Sequence, residues 1–413
     1  MSAPAATSRR VNVRTPEIME RVQAQVETHY RSQIVEKIRA RGSVLQIGST
    51  TVRLARDFGF CYGVERAIDL AYASRKVFAD RNVYLLGEII HNQEVNRQLT
   101  EMGVVSIPIA EHESTLAKLT QEDVVIVPAF GAETRLMKLI AERGCLVVDT
   151  TCGDVMSVWK RVRQYAKTGF TSIIHGKATH EETRATSSRA MGDDGMGAYL
   201  VVLTLADVDY VCDYIRHGGD KDAFLQRFPS TAHSVGFDPD IHLTRIGVAN
   251  QTTMLKSETE EVQRRLKQAV LDRDGVDAGE KNFQVFDTIC GATQERQDSL
   301  FGLLQQPLDV LLVVGGYNSS NTTHLVEIGE QQLPTFFIRT ADCLTSLQQI
   351  VHFDIHRKTE TQSYSEKLAG TGPVTIGITA GASCPNNLIE DTVLRVFALR
   401  GIDESEVRAA LAG

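Results

Sequence analysis

Short apolar runs alternate with amphipathic stretches along most of the chain, and polar or glycine-rich turns separate them. Repetition of strand, turn and helix is typical of α/β domains built on parallel sheets. The apolar runs predict strands over residues 83–90, 124–130, 145–151, 171–176, 199–205, 283–289, 310–316 and 374–381. Four polar stretches are interpreted as linkers or insertions, at residues 192–197, 218–222, 272–281 and 358–367.

A single helix is predicted over residues 17–41, before the repeating part of the chain. Apolar residues recur there at helical spacing, Thr15 and Pro16 suit the start of a helix, and Gly42 ends it. The first 16 residues are largely polar and contain arginine but no acid. They are interpreted as a tail, and the start of an organellar transit peptide stays open as the alternative.

Composition excludes two classes of partner. The chain has 44 Lys and Arg against 52 Asp and Glu, a net charge of −8, so no general positive field attracts nucleic acid or an anionic membrane. No apolar run approaches the roughly 18 residues of a membrane-spanning helix. The length suits about two to three domains. Because the net charge is negative, any site for an anion must be a local feature of the fold.

Seven cysteines, an odd number without a CxxC pair, favour a reducing compartment over a secreted disulfide framework. Cys61, Cys152 and Cys290 share one setting, in which an apolar approach is followed by the cysteine and a nearby glycine at the start of a helical stretch. Open α/β sheets bind ligands where a strand leads into a helix, and thiols ionise readily there. The remaining four are predicted to be structural: Cys145, Cys212, Cys343 and Cys384.

The three matching cysteines are candidate metal ligands. They lie far apart in sequence, so their spacing matches neither a ferredoxin nor a zinc finger. Three thiolates brought together by the fold suit an iron-sulfur cluster and leave one metal position open for a substrate. Zinc with three cysteines and a fourth ligand is the alternative.

Polar segments at further strand ends carry candidate proton-transfer and anion-binding groups. HGKATHEET (175–183) places two imidazoles near two carboxylates, which suits proton transfer, although a solvated loop is the alternative. GGYNSSNTTH (315–324) and TAGASCP (379–385) offer hydroxyls, amides and main-chain N–H groups to a diphosphate or another small anion. NQTT (250–253) offers further hydroxyls at a strand end.

Taken together, these segments resemble the hydroxymethylbutenyl diphosphate reductase family, the terminal iron-sulfur enzymes of the non-mevalonate isoprenoid pathway. The N-terminal extension and the longer middle region are similar to the branch found in cyanobacteria, plastids and some other bacteria. The resemblance rests on eight motifs in the family's order across residues 53–390: GFCYGVERAI (59–68), HNQEV (91–95), DTTCGDV (149–155), HGKATHEET (175–183), NQTT (250–253), DTICGATQERQ (287–297), YNSSNTTHL (317–325) and TAGASCP (379–385).

The resemblance implies an α/β fold with three pseudo-equivalent units in a trefoil around a central 4Fe-4S cluster. The strand over residues 53–60 is expected to join the third unit. The chain is expected to begin with an N-terminal helical extension over 1–45 and to end with a C-terminal helix over 391–413. Between them, the three units are expected over 46–151, 152–288 and 289–390, and the second unit is expected to contain an insertion over 189–242.

The family removes the allylic hydroxyl of 4-hydroxy-3-methylbut-2-enyl diphosphate with two electrons and two protons, giving isopentenyl and dimethylallyl diphosphates plus water. Cys61, Cys152 and Cys290 match the three cluster ligands, which leaves one iron open for the substrate's oxygen. Glu182 matches the carboxylate of the proton relay. Thr252 matches the hydroxyl that hydrogen-bonds the substrate's oxygen.

The resemblance also implies a diphosphate-binding set, one member of which, His180, counts among the catalytic residues as well. Thr293 matches a further pocket residue. The chain departs from the family at Phe130, where the shorter bacterial branch has His, so His175 or Lys177 is the candidate replacement. The matched set is His91, His180, Ser319, Ser320, Asn321 and Ser383.

The implied electron donor is ferredoxin or flavodoxin, and the implied compartment is the bacterial cytoplasm, with the plastid stroma as the alternative. Two other function classes stay open: a cluster-dependent hydro-lyase or quinolinate-synthase-like enzyme, and a zinc- or cluster-binding regulator. The matched loops lack an evident arginine clamp for a carboxylate substrate, and the acidic balance disfavours DNA binding. The reductase is therefore the favoured function.

Overall fold

The computed structural model of the protein describes residues 9–286, 288–346 and 348–412. Its strands are β1 (Arg9–Arg10), β2 (Val44–Ile47), β3 (Thr50–Leu54), β4 (Val83–Leu86), β5 (Val104–Ile107), β6 (Val124–Val127), β7 (Leu146–Asp149), β8 (Thr171–His175), β9 (Tyr199–Val202), β10 (Ile246–Asn250), β11 (Phe283–Val285), β12 (Val310–Val314), β13 (Thr335–Ile338), β14 (Leu344–Ser346), β15 (Gln349–Asp354), β16 (Thr359–Ser363) and β17 (Val374–Ala380).

The helices are α1 (Pro16–Tyr30), α2 (Gln33–Ala40), α3 (Tyr62–Val77), α4 (Gln93–Glu101), α5 (His112–Leu116), α6 (Thr134–Arg143), α7 (Gly153–Lys167), α8 (Glu181–Ala190), α9 (Leu205–His217), α10 (Lys221–Arg227), α11 (Pro239–His242), α12 (Lys256–Asp274), α13 (Val276–Asn282), α14 (Gly291–Leu304), α15 (Ser320–Glu330), α16 (Glu366–Ala369), α17 (Asn386–Leu399) and α18 (Glu404–Ala410). Two short 3₁₀ helices span Ile109–Glu111 and Ala341–Cys343.

Three sheets are mainly parallel, which confirms the predicted α/β class. Sheet 1 has the order β1-β7-β6-β4-β5, and sheet 2 has the order β11-β10-β8-β9. Sheet 3 has the order β13-β12-β17-β3-β2, in which only β2 runs antiparallel to its neighbour. Central strands such as β6, β10 and β12 are buried along their whole length, as expected where helices cover both faces of a parallel sheet.

The described residues form two compact units. The first takes in residues of Met1–Val13, Ser74–Ile89 and Met102–Cys290, and it contains sheets 1 and 2. The second takes in residues of Arg14–Ala73, Ile90–Glu101 and Gly291–Gly413, and it contains sheet 3 and the antiparallel sheet 4, of order β14-β15-β16. The chain therefore crosses between units more often than the expected linear division implies.

Each predicted strand begins at or near an observed one but ends too late. The strand predicted over 124–130 stops at Val127, because Pro128 has no N–H to continue the ladder. The strand predicted over 283–289 ends at Val285, and Asp287 within it lies outside the described residues. The apolar patterns thus locate strands, while the residues beyond each strand form the loops of the site.

The observed helices and strands add detail to several expected segments. The predicted helix over 17–41 is two helices, because Ser32 caps α2 by accepting a hydrogen bond from the N–H of Val35. The expected insertion over 189–242 contains β9, which pairs with β8 in sheet 2, and α9, which packs on α12. The C-terminal helix expected over 391–413 is α17, which already begins at Asn386, followed by α18.

Two of the polar stretches interpreted as linkers are also regular structure. Residues 272–281 belong to the end of α12 and to α13. Residues 358–367 contain β16, whose alternating exposure explains why its polar sequence looked like a loop. No helix in the described ranges combines the length and the apolar composition that a bilayer-spanning segment requires.

Candidate active site

Each of the three candidate metal ligands lies directly before a helix. Cys61 precedes α3, Cys152 is the N-terminal cap residue of α7, and Cys290 precedes α14. All three are partly exposed. Helix N-termini favour negative charge, and thiolate is the form that binds metals. Three partly exposed thiols in this setting are a donor set that suits a cluster with soft sulfur ligands.

The backbone N–H of each of these cysteines is hydrogen-bonded to a neighbouring loop. The N–H of Cys152 donates to the carbonyl of Ala129 (3.0 Å), and that of Cys290 donates to the carbonyl of Thr252 (3.2 Å). In the second unit, the N–H of Cys61 donates to the carbonyl of Ala382 (3.2 Å). Each acceptor adjoins or belongs to a predicted site segment, so each cysteine is positioned by one of these segments.

The other four cysteines are buried. Burial raises the pKa of Cys212 to about 11 and also raises the pKa of Cys145 and of Cys384. These three thiols therefore stay protonated at neutral pH and act as small apolar groups. This burial supports their predicted structural function.

Glu182 and Thr252 form the polar centre of the first unit. Glu182 is 2% exposed and lies in the first turn of α8. Its Oε1 accepts a hydrogen bond from the N–H of Thr252 (2.6 Å), and its Oε2 accepts one from Thr252 Oγ1 (3.0 Å). Because the carbonyl of Thr252 also accepts the N–H of Cys290, one residue connects the buried carboxylate to the backbone of a candidate ligand.

His180 is fixed beside this pair. Its Nδ1 accepts a hydrogen bond from the N–H of Glu182 (3.1 Å), which caps α8. Nδ1 is therefore unprotonated, so the neutral ring carries its proton on Nε2. The ring packs edge to face on Phe130, with the ring centroids 5.7 Å apart. Phe130 thus supports His180 by an aromatic contact at the position where the shorter branch has an imidazole.

His175, one of the two candidate replacements for the missing imidazole, contacts α12. It is fully buried, and its Nδ1 lies 2.9 Å from Thr259 Oγ1. Its Nε2 lies 4.0 Å from Glu258 Oε2, also on α12. The imidazole therefore joins sheet 2 to α12. Lys177 has an exposed side chain, and its backbone N–H donates to Gln251 Oε1 (3.2 Å).

The predicted diphosphate-binding residues of the second unit are linked to one another. His91 Nδ1 accepts a hydrogen bond from Asn318 Nδ2 (3.1 Å), and Ser383 Oγ donates to the His91 carbonyl (3.1 Å). Asn321 Oδ1 accepts the N–H of Ala382 (2.9 Å). Every side chain of the predicted set in this unit except Ser320 is more than nine-tenths buried, namely His91, Ser319, Asn321 and Ser383, and so is the further pocket residue Thr293.

The start of α15 provides hydroxyls and amides together. Ser319 caps the helix, since its Oγ accepts from the N–H of Thr322 (3.3 Å). Asn321 Nδ2 donates to Thr293 Oγ1 (3.5 Å), which connects α15 to α14. Ser320 is the first residue of α15. A helix N-terminus with hydroxyls and amides around it suits an anion.

Glycines make this close arrangement possible. A Cβ on Gly316 would lie 2.4 Å from the His91 carbonyl oxygen, and one on Gly381 would lie 2.0 Å from Thr322 Oγ1. Such distances do not occur for real Cβ atoms, so only glycine permits the loops to approach. The two glycines therefore permit the close packing of the segments that carry the predicted diphosphate-binding residues.

Sequence reasoning missed supporting residues whose motif positions carried a signal. Asn318 and Thr322 belong to the YNSSNTTHL motif and bond to His91 and Ser319. Gln251 belongs to the NQTT motif, and its Oε1 accepts from Thr183 Oγ1 (3.0 Å). Polar residues inside the motifs were thus interpreted too narrowly, as ligand contacts only.

Known proteins match most of the chain. The family model described as LytB protein matches residues 52–397. The relative from Gloeobacter violaceus is 47% identical over 395 residues, covering 94% of this chain and 93% of its own. The relative from Thermosynechococcus vestitus is 47% identical over 384 residues, covering 93% of each chain. Both are named 4-hydroxy-3-methylbut-2-enyl diphosphate reductase.

Two solved structures are similar. One, described as (E)-4-hydroxy-3-methyl-but-2-enyl diphosphate reductase, the terminal enzyme of the non-mevalonate pathway, is 27% identical with a TM-score of 0.51, covering 85% of this chain and all of its own. The reductase from Plasmodium falciparum is 21% identical with a TM-score of 0.61, covering 86% of this chain and 90% of its own, and supports the fold alone. The resemblance found in the sequence is thereby confirmed, and the chain belongs to the LytB protein family.

Proposed function

We propose that the chain is a reductase that removes the allylic hydroxyl of 4-hydroxy-3-methylbut-2-enyl diphosphate. The products are isopentenyl and dimethylallyl diphosphates and water, as in the last step of the non-mevalonate isoprenoid pathway. Family membership and the names of cyanobacterial relatives covering over nine-tenths of the chain support this activity. The structural observation that carries it is the buried Glu182 carboxylate, which Thr252 connects to the backbone of Cys290.

Cys61, Cys152 and Cys290 are the proposed ligands of a 4Fe-4S cluster with one open iron. Their partial exposure and their places before three helices support this choice, whereas burial argues against the other four cysteines. When bound, such a cluster supplies electrons and a coordination position for the substrate's oxygen. Thiolates suit zinc as well, so family membership is what favours the cluster over zinc with a fourth ligand.

Glu182 is the proposed proton donor to the departing oxygen. Its carboxyl group lies 3.0 Å from Thr252 Oγ1, and a hydroxyl can accept one hydrogen bond while donating another. Once Glu182 has taken up a proton, its carboxyl group would donate to Thr252 Oγ1, which reverses the hydrogen bond seen here, and Thr252 would pass its own hydroxyl proton to the oxygen that leaves as water. His180 Nδ1 accepts the N–H of Glu182 and so fixes the start of α8. The ring proton is therefore on Nε2, which is the hydrogen-bond donor of this side chain.

The diphosphate is proposed to bind neutral donors rather than lysines and arginines. His91, Ser319 and Ser383 are buried side chains of this set in the second unit, and α15 contributes its N-terminus. Neutral donors in a buried setting bind an anion through directed hydrogen bonds and the helix dipole. This choice agrees with the net charge of −8, which gives no general attraction for phosphate.

Ferredoxin or flavodoxin is the proposed electron donor, and the bacterial cytoplasm or the plastid stroma is the proposed compartment. The cyanobacterial origin of the relatives supports both proposals. A one-electron donor of low potential suits a reduction that takes two electrons in separate steps.

An anaerobic assay tests the activity directly. The purified chain is mixed with 4-hydroxy-3-methylbut-2-enyl diphosphate and a reduced one-electron donor, and the hydrocarbon diphosphates are quantified. We expect both products to form, with iron and acid-labile sulfide in equal amounts in the protein. A zinc-loaded chain without turnover would contradict the proposal and favour a regulator. Dehydration without consumption of electrons would favour a hydro-lyase.

Cysteine substitutions test the ligand assignment. Cys61→Ser, Cys152→Ser and Cys290→Ser should each lower the iron content of the purified chain and remove turnover, because a hard hydroxyl replaces a soft ligand. Cys343→Ser is the matched control, since Cys343 is buried away from any helix start of this kind. Equal losses of iron in all four variants would contradict the three-ligand assignment.

A further inference from the structure

The segment Phe58–Phe60 leads directly into Cys61, and side chains from distant parts of the second unit hold it. Gly59 adopts a φ of +83°, which favours glycine. A Cβ at this position would lie 2.7 Å from Asn386 Oδ1 and 3.3 Å from the carbonyl oxygen of Cys384. The segment is therefore fixed in one conformation against the start of α17.

Arg296 makes the most direct contact with this segment. It lies on α14 and is 6% exposed. Its Nη2 donates to the carbonyl of Gly59 (3.0 Å) and to the carbonyl of Phe60 (3.3 Å). Its Nη1 contacts Glu295 Oε2 (3.1 Å), a carboxylate that is 62% exposed. A buried guanidinium thus spans the two residues that precede the candidate ligand.

The N-terminal helices complete the support. Arg39 of α2 donates from Nη2 to the carbonyl of Phe58 (3.0 Å), and its guanidinium lies 4.0 Å from the centroid of the Phe58 ring. Tyr30, the last residue of α1, packs on Phe60 with the ring centroids 5.3 Å apart. Residues that the sequence pattern assigned to an extension without a function therefore contact the ligand-bearing segment.

Tyr30 is itself held rigidly. Its hydroxyl lies 2.8 Å from the Tyr72 hydroxyl, which donates to Gln98 Oε1 (3.1 Å). His29 Nδ1 lies 2.9 Å from the same Tyr72 hydroxyl. Burial raises the pKa of Tyr30 and of Tyr72, so both phenols stay neutral. A buried hydrogen-bonded network of this kind fixes the ring that meets Phe60.

We propose that Arg296 is a positioning residue for the metal ligand Cys61. Tyr30 and Arg39, which belong to the N-terminal helices, help to position the same segment. The proposal rests on the ligand function proposed for Cys61. Arg296 acts in two ways. It fixes the backbone that carries the thiolate, and its buried positive charge favours the more negative, reduced form of a nearby cluster.

Site-resolved alkylation tests the first effect and needs neither cluster nor turnover. The full-length chain is isolated without iron, treated with iodoacetamide, and analysed by peptide mass spectrometry. In Arg296→Met at about pH 10, where the lost positive charge no longer decides how much of the thiol is ionised, we expect Cys61 to react about tenfold faster than in the unchanged chain, because hydrogen bonds from a charged donor no longer hold its segment. The rates at Cys152 and Cys290 should stay the same.

Arg395→Met is the matched control. Arg395 also clamps backbone carbonyls, those of Leu344 and Thr345, but it has no contact with the segment before Cys61. Its loss should leave the Cys61 rate unchanged. Equal rates in the unchanged chain and in Arg296→Met would overturn the proposal, whatever the outcome of the reductase assay. If Arg296→Met does not fold, Arg296→Lys serves in its place, with a smaller increase expected.

The reduction potential of the cluster tests the second effect in the loaded enzyme. Arg296→Met should shift the potential to more negative values, while Arg296→Lys, which keeps the charge, should restore most of the difference. A merely structural function would shift the potential of both variants alike, and that result would overturn the electrostatic part.

Substitutions at Tyr30 test the contribution of the N-terminal helices. Tyr30→Leu should increase the rate of Cys61 alkylation with little change in potential. Tyr30→Phe keeps the ring and should leave the alkylation rate unchanged.

Discussion

The proposed site residues form two groups of different chemistry, which lie in different compact units. The catalytic group, His180, Glu182 and Thr252, contains one carboxylate that is fixed by two direct hydrogen bonds. The phosphate group, His91, Ser319, Ser320, Asn321 and Ser383, contains no carboxylate and no lysine or arginine. Its geometry depends on loops that approach closely at glycines. In the proposed reaction, proton transfer thus depends on one side chain, whereas diphosphate binding depends on the backbone conformation of the loops.

This difference predicts how substitutions divide between kcat and KM. A group that acts only on the departing oxygen contributes in the transition state, so its loss lowers kcat. A group that binds the diphosphate contributes equally before and during the reaction, so its loss raises KM. The predictions below test this division, beginning with the substitution of largest expected effect.

Glu182→Gln should give the largest effect. The amide keeps the shape and one acceptor oxygen for Thr252 but cannot release a proton. We expect kcat to fall by about 10² to 10⁴, the usual range for loss of a general acid, with KM changed less than about threefold. Initial rates under anaerobic conditions with a fixed concentration of reduced donor measure both constants.

The control for this substitution is Glu260→Gln, an exposed carboxylate on α12 in the same unit. It should leave both constants unchanged. A comparable fall in kcat for the control, or unchanged kcat in Glu182→Gln, would remove Glu182 from the proton relay.

Gly316→Ala should act on binding instead. The new Cβ would lie 2.4 Å from the His91 carbonyl oxygen, so His91 must move away from its contacts with Asn318 and Ser383. We expect KM to rise by more than about tenfold and the unfolding free energy to fall by about 1–3 kcal/mol, as for other overpacked sites. Kinetics and a denaturant titration measure the two effects.

Gly372→Ala is the matched control, since a Cβ there would meet nothing within 4 Å. It should change neither KM nor stability appreciably. If Gly316→Ala instead lowered kcat at constant KM, binding would not depend on the backbone of this loop, and the contrast between the groups would fail.

Ser383→Ala should have a smaller effect on the same group. It removes the hydrogen bond from Ser383 Oγ to the His91 carbonyl but leaves the backbone free of clashes. We expect KM to rise about fivefold, which corresponds to the loss of one neutral hydrogen bond. Ser114→Ala removes a similar bond, to the Glu111 carbonyl in the first unit, and should not alter KM. A fall in kcat for Ser383→Ala would place this serine nearer the chemistry than proposed.

Local patterns in the sequence predicted the class of fold but not its boundaries. Buried strands such as Val310–Val314 are continuous apolar runs, so the pattern locates them. Sheet 4 escaped detection because β16 alternates polar residues on a partly exposed surface. The pairing of β3 with β17 joins residues more than 300 positions apart, and no local pattern encodes such a contact. That expectation came from the family resemblance.

The site shows the same limit. Motif positions predict functions for Glu182, Thr252 and the three cysteines, because each residue type has a chemical use. The contact of Tyr30 with Phe60 could not be foreseen, since apolar spacing marks a helix face without saying what it meets. The contact of His175 with α12 is a similar case, since an imidazole next to a polar motif carries no sign of what its ring will meet.

Phe130→Leu gives the smallest expected effect and decides the group to which His180 belongs. Leucine keeps much of the buried area but loses the edge-to-face contact with the imidazole. Because His180 Nδ1 accepts the N–H of Glu182, a looser ring disturbs the proton donor, and we expect kcat to fall about twofold at constant KM. Phe237→Leu, which alters another Phe–His pair at 6.1 Å in the same unit, should change neither constant. A rise in KM at constant kcat would instead show that His180 acts mainly in diphosphate binding. The first unit would then contain both a binding residue, His180, and the proton donor, Glu182.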